Sequence, residues 1–162
     1  ASSAASDVYK RQLILCMTLL TAVSACSKDE YTEKNVMVVT PGTLEGTWTL
    51  TEWNGQAPEE GMYVYITFER KERTFVMYEK WGSMYSHKTS GTFSILEDED
   101  YGIILTGEYD YDQGEWQEYV VTGMDGATLT LVAKDNAADK LVYTRCEGVP
   151  EDIQNGSRSL GF

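Results

Sequence analysis

The 162-residue chain is short of proline (three), histidine (one) and cysteine (three), and each shortage removes an explanation. His87 stands in Tyr85-Ser86-His87-Lys88 without a Glu-x-x-His partner or a Cys/His cluster, so neither a zinc site nor a Ser-His-Asp relay has support. Of the cysteines, Cys16 falls inside an apolar leader and Cys26 directly behind it. Cys146 is then left without an intramolecular partner, and disulfide stapling is excluded. There is no Gly-x-Ser-x-Gly elbow and no phosphate-cradling loop, since Gly46, Gly91 and Gly123 are scattered at strand positions. Positive charge is also scarce: 13 Lys and Arg against 26 Asp and Glu give a net charge of -13, which argues against nucleic acid or anionic lipid headgroups as partners.

What is present begins with Lys10-Arg11-Gln12 and an apolar stretch from Leu13 to Val23. At about eleven residues it is too short to cross a bilayer of about 30 Å as a helix. The following Val23-Ser24-Ala25-Cys26 resembles the bacterial lipoprotein signal motif, in which small residues fit the signal peptidase and the cysteine thiol accepts a diacylglyceryl group. The expectation is a leader over 1–25, with the signal peptide proper at 10–25 and residues 1–9, which lack an initiator Met, read as a cloning or assembly scar. Cys26 is the lipidation site and the route to the membrane. Each buried methylene contributes about 0.8 kcal/mol and stable attachment takes at least two chains, which such a lipoprotein carries. An ordinary secretory leader is the competing reading. Losing residues 1–25 removes Lys10, Arg11 and Asp7, so the charge moves from -13 to -14. Ser27-Lys28-Asp29-Glu30 resembles a tag that directs lipoproteins to the outer face of the outer membrane, and reads equally well as solvated tether. Residues 26–43 are expected to be that tether, closing at Pro41-Gly42.

The domain is expected at 44–147. Eleven Tyr, four Trp and 14 Gly lean toward strands and tight turns. Eight strands are predicted, at 46–53, 61–69, 73–80, 84–96, 101–109, 115–123, 127–133 and 139–146. Alternation is clearest where Met62, Val64, Ile66 and Phe68 oppose Tyr63, Tyr65, Thr67 and Glu69. The joints carry turn chemistry, as in Asn54-Gly55, Trp81-Gly82 and Asp125-Gly126. Short joints make sequence neighbours pair antiparallel, and closing the meander hides both edges. The fold class is therefore all-β, an eight-stranded antiparallel up-and-down barrel behind a signal peptide and tether. The polar tail at 148–162 is expected to be disordered.

Leu44-Glu45-Gly46-Thr47-Trp48-Thr49-Leu50 resembles the Gly-x-Trp signature of lipocalins and related calycin barrels. The resemblance implies that Trp48 closes one barrel end while an arginine near the end of the last strand, here Arg145, packs across it. The pattern is similar to the lipocalin-like domains of small bacterial lipoproteins over roughly 44–146. It departs from the transport branch in lacking the middle Thr-Asp-Tyr motif and an amphipathic helix after the last strand.

The remaining chemistry is sparse. Asp110-Tyr111-Asp112-Gln113-Gly114-Glu115 spaces acids as some calcium loops do, but lacks the third ligand before the glycine and the distal Glu. No metal and no cofactor is expected. Met62, Phe68, Phe75, Met77, Tyr85, Phe93 and Leu131, with Trp116 and Tyr119, are candidates to line a cavity for a small apolar ligand, or simply to fill the core. The leading expectation is a monomeric, non-enzymatic binding module anchored to the outer membrane and facing the cell exterior. The alternative is a protein-interaction or inhibitor module of the envelope with a solid core, contacting an envelope partner through exposed Tyr63, Tyr65, Tyr109, Tyr111 and Trp116. An enzyme using Glu52 or Glu118 is a third reading.

Overall fold

Strand alternation and short turns produce the expected meander. The computed structural model describes residues 37–111, 113–156 and 158–159; the leader at 1–25, Cys26 and the tether as far as residue 36 lie outside the described residues. The strands are β1 (Gly46–Trp53), β2 (Tyr63–Glu69), β3 (Thr74–Lys80), β4 (His87–Asp98), β5 (Gly102–Tyr109), β6 (Tyr119–Met124), β7 (Thr128–Ala133) and β8 (Asn136–Cys146). Each runs antiparallel to the next, and β8 returns to pair with β1, with Trp48 opposite Arg145 and Leu50 opposite Tyr143. The sheet is thereby closed into an eight-stranded up-and-down barrel.

In β2, Val64, Ile66 and Phe68 are buried while Tyr63, Tyr65 and Thr67 stand half-exposed on the outer face. That period of two fails at bulges. The register of β1 against β8 slips between Leu50 and Glu52. Trp48 and Leu50 face inward, but the extra residue leaves Glu52 exposed and turns Trp53 toward the interior. A second slip lies in β6, between Val121 and Gly123.

Several expected boundaries move. Residues 84–86 belong to a loop in which the Tyr85 N–H donates to Ser83 Oγ at 3.1 Å, so β4 starts at His87. Residues 115–118 mostly leave the ladder, and β6 starts at Tyr119. The β7–β8 joint is a two-residue turn at Lys134-Asp135, so β8 starts earlier, at Asn136. The last residues expected of the tether belong to the barrel: Val39 is buried, and Thr40 caps the short helix α1 (Pro41–Leu44). Thr40 Oγ1 accepts from the Thr43 N–H at 3.1 Å while Thr43 Oγ1 accepts from the Thr40 N–H at 2.8 Å, a reciprocal box behind a proline at the first helical position. The tail also differs from expectation, carrying α2 (Glu151–Gly156) and the two-residue β9 (Arg158–Ser159), which pairs parallel with His87 and Lys88 of β4.

One end of the barrel is sealed. Leu44 and Trp48 are fully buried there, and the indole Nε1–H of Trp48 donates to the Leu44 carbonyl at 2.8 Å. Arg145 lies over the Trp48 ring, its guanidinium carbon 4.1 Å from the ring centroid. The same guanidinium donates to the carbonyls of Gly126, Glu45 and Thr43 at 2.7, 2.5 and 2.8 Å. It thus ties α1, the start of β1 and the β6–β7 turn to β8. Gly46 is required by this clamp: its φ is +116°, and a Cβ there would lie 2.6 Å from Arg145 Nη1.

Trp48→Ala should lower the unfolding free energy by about 3–5 kcal/mol by opening a cavity, and Arg145→Ala by about 2–3 kcal/mol by stranding carbonyls. Urea unfolding of a double-mutant cycle should return a coupling of about 1 kcal/mol or more, because each residue holds the other in place.

A cavity at the open end of the barrel

The opposite end, where β1, β3, β5 and β7 finish, opens on a cavity of about 240 Å³. Its wall is apolar toward the middle of the barrel, built from Leu50, Val64, Ile66, Phe68, Leu105, Leu129 and Leu131. Toward the mouth it becomes polar and aromatic, with Glu79, Tyr109, Tyr119 and Asp139 on the wall and Trp53, Trp81 and Gln117 around them, while Tyr143, opposite Leu50 and Leu129, and Trp116, packed on Phe75, lie deeper. Trp53 and Trp81 meet edge to face, centroids 4.9 Å apart, and Trp53 Nε1–H donates to Asp139 Oδ1 at 2.6 Å. A wider depression at the sealed end, between α1 and Arg70, Lys71 and Arg73, lies open to solvent.

The aromatic floor depends on bare backbone in two strands. A Cβ on Gly91 would collide with the Glu108 carbonyl, and one on Gly107 would reach 2.6 Å from the Thr92 carbonyl and 3.1 Å from the Trp116 ring. Without them β4 and β5 approach closely, and Trp116 folds inward against Phe75 at 4.5 Å between centroids.

Burial governs the electrostatics. Desolvation raises the Glu79 carboxyl above the ordinary value of 4.5, partly opposed by His87 directly across the β3–β4 pair. Burial, and then the charge of Asp139, pushes the Tyr119 phenol up to about 12. Burial likewise raises Tyr109, helped by Glu79, and raises Tyr143 most of all. These phenols stay neutral at physiological pH. Among the described residues no group of three or more His, Cys, Asp and Glu could hold a metal ion.

Of the residues expected to line the cavity, Phe68, Met77 and Leu131 do so, as do Trp116 and Tyr119. Phe75 and Phe93 are instead packed core residues, each 1% exposed. Met62 is half-buried just before β2, outside the lining. Tyr85 is 59% exposed because it sits in the β3–β4 loop rather than on a strand. The surface envisaged for partner contact also breaks up: Tyr109 and Trp116 turn into the cavity, whereas Tyr111 stays 81% exposed. Glu52 faces solvent, and Glu118 accepts from Lys134 Nζ at 2.8 Å. The Cys146 thiol contacts the Gly148 carbonyl at 3.7 Å and is raised by burial. Trp53, Trp81, Glu79, Asp139 and Tyr143 were missed. The bulge hides Trp53 from any alternation rule, and Trp81 lies in a turn.

A closed eight-stranded meander with one end plugged by a Gly-x-Trp and arginine clamp, and the other opening on a cavity, defines a calycin-type barrel. Residues 44–131, more than half of the chain, match the family model of the lipocalin-like domain, and the chain belongs to that family. Comparisons with curated proteins and with solved structures give no match. Arg145 lies beyond the matched residues, and its role is read from the geometry of the sealed end.

Because the folded state holds the Glu79 proton more tightly than the unfolded chain does, its burial costs nothing below about pH 4.5 and destabilises progressively as pH rises through the folded value. Glu79→Gln should therefore raise the thermal midpoint at pH 7 and leave it nearly unchanged at pH 3.5, checked by calorimetry at both.

Proposed function

We propose that this protein is a lipid-anchored envelope binder, not an enzyme, whose barrel carries one small and largely apolar molecule. The cavity carries this reading: about 240 Å³ of space, apolar inside and polar at the mouth, within a lipocalin-like barrel. At about 30 Å³ per water-sized group, that volume accepts a molecule of about eight non-hydrogen atoms. It lies below the usual range of about 300–1,000 Å³ for ligand pockets, which favours a single ring or a short chain over a long lipid. Support for the anchor comes from Val23-Ser24-Ala25-Cys26, and support for the outer membrane from Ser27-Lys28-Asp29-Glu30. The described chain begins at the sealed end, where the Met37 N–H donates to the Met124 carbonyl at 2.8 Å. The mouth is at the other end.

A second reading, a mouth that also docks an envelope protein, is favoured by Met84 and Tyr111, which are 86% and 81% exposed in the loops around the cavity. The two are compatible, since a carrier must hand on its cargo.

Native mass spectrometry with organic extraction of the Cys26→Ser chain from a bacterial host should show a co-purifying molecule of this size, acting as a monomer. Leu131→Trp, which fills the cavity from β7, should abolish it. A ligand retained by that variant would place the binding site elsewhere.

A further inference from the structure

Among the described residues that line the cavity the charged ones are the carboxylates Glu79 and Asp139, with no Lys, Arg or His. We propose that the polar end of the ligand is an organic ammonium ion, bound by Glu79 among the rings of Trp53, Trp81 and Tyr109. This rests on the carrier reading above and specifies the cargo of that same cavity.

The two acids are not equivalent. Asp139 already accepts from the Trp53 indole, whereas Glu79 makes no hydrogen bond or salt bridge with another described residue. Its cross-strand neighbour is His87, whose Nε2 lies 3.1 Å from Ser83 Oγ. A half-buried carboxylate without a cation is unfavourable in the free protein, and a ligand that brings the cation removes that cost.

A second, independent observation is Tyr143. It is only 8% exposed, lines the cavity and makes no side-chain hydrogen bond with another described residue. It sits within electrostatic range of Glu79, Tyr109, Tyr119 and Asp139, so its phenol oxygen belongs to the same polar cluster. An ammonium group has only donors, and carboxylate and phenol oxygens are acceptors for it. The indole and phenol faces add cation–π attraction, strongest where water is excluded. The Trp116 Nε1–H is buried without a partner at the same wall, which leaves one donor for an acceptor elsewhere on the ligand.

Longer-range charge points the same way. The four loops at the mouth carry Glu59, Glu60, Asp110, Glu115, Glu118 and Asp135, and their one basic residue, Lys134, is paired with Glu118 and Asp98. Lys80 and His87 stand at the strand ends beside these loops, so the rim is acidic in net rather than throughout, and a net negative cleft concentrates cations. An anionic ligand would meet Glu79 with only His87 across the strand pair to oppose it, and a neutral one would bury the carboxylate without bringing a cation.

Phenethylamine, 2-phenylethanol and phenylacetate share a phenyl ring on a two-carbon chain and differ in the group at the end of that chain. Calorimetric titration of the Cys26→Ser chain at pH 7 and low salt should show the amine binding at least about tenfold tighter than the alcohol, with no detectable phenylacetate binding. Glu79→Gln should bring the amine down to the affinity of the alcohol, with alcohol binding retained and the thermal midpoint at pH 7 raised. Equal or tighter binding of the alcohol or the acid, or an amine preference that survives Glu79→Gln, would overturn the ammonium proposal and leave the carrier reading standing. Failure of all three probes to bind would overturn both.

Discussion

The stacking of Arg145 on Trp48 is the contact on which the architecture rests. A barrel sheet has no free edge, but its two ends still expose core. At the sealed end that exposure is removed by an indole held edge-down through its hydrogen bond to Leu44, beneath a guanidinium 4.1 Å away. A guanidinium has five donors in a rigid fork and can satisfy several carbonyls at once. Here it reaches three segments distant in sequence, at Thr43, Glu45 and Gly126. One residue pair therefore joins the first and last strands, the helix that precedes them and a turn from the opposite side.

With closure concentrated at one end, the other is free of structural duty. The strands there terminate in aromatic and acidic side chains rather than in packed aliphatic ones, and the bulge in β1 converts a strand end into part of the cavity wall. Glu79 and Tyr143 are costly residues for stability: a desolvated carboxylate and a buried phenol would be replaced by aliphatics in a core selected for packing alone. Their presence in the cavity wall, and the purely apolar character of Leu44, Phe75, Phe93 and Met124 outside it, separate the two parts chemically.

Strand count, antiparallel order and closure were legible in the sequence because period-two alternation and turn residues are local signals. The Gly46, Trp48 and Arg145 clamp was legible through resemblance. The cavity was legible only in part, through Phe68, Met77, Leu131, Trp116 and Tyr119. Alternation placed Phe68, Met77 and Leu131 on the inner face, but it cannot separate packed core from cavity wall, and so it grouped Phe75 and Phe93 with them. It cannot reach beyond the β1 bulge, where continuing the period of Trp48 and Leu50 would point Glu52 inward instead of Trp53. Tyr109 read as a surface aromatic, and Trp116 fitted both cavity and surface, because the space that receives the Trp116 ring comes from the absence of a side chain on Gly107, which alternation does not report. Tyr85 read as strand because its hydrophobicity suits one, while the Ser83 hydroxyl holds its backbone in a loop.

The division into a sealed half and an open, ligand-taking half can be tested through the four tryptophans of the chain, since Trp48 lies in the first and Trp53, Trp81 and Trp116 surround the cavity of the second. The most direct measurement is the indole N–H region of a ¹⁵N–¹H NMR spectrum, assigned by single Trp→Phe substitutions and followed while the co-purified molecule is removed and added back. The account predicts movement of the Trp53, Trp81 and Trp116 signals with Trp48 unmoved. A response centred on Trp48, or one shared equally by all four, would contradict it.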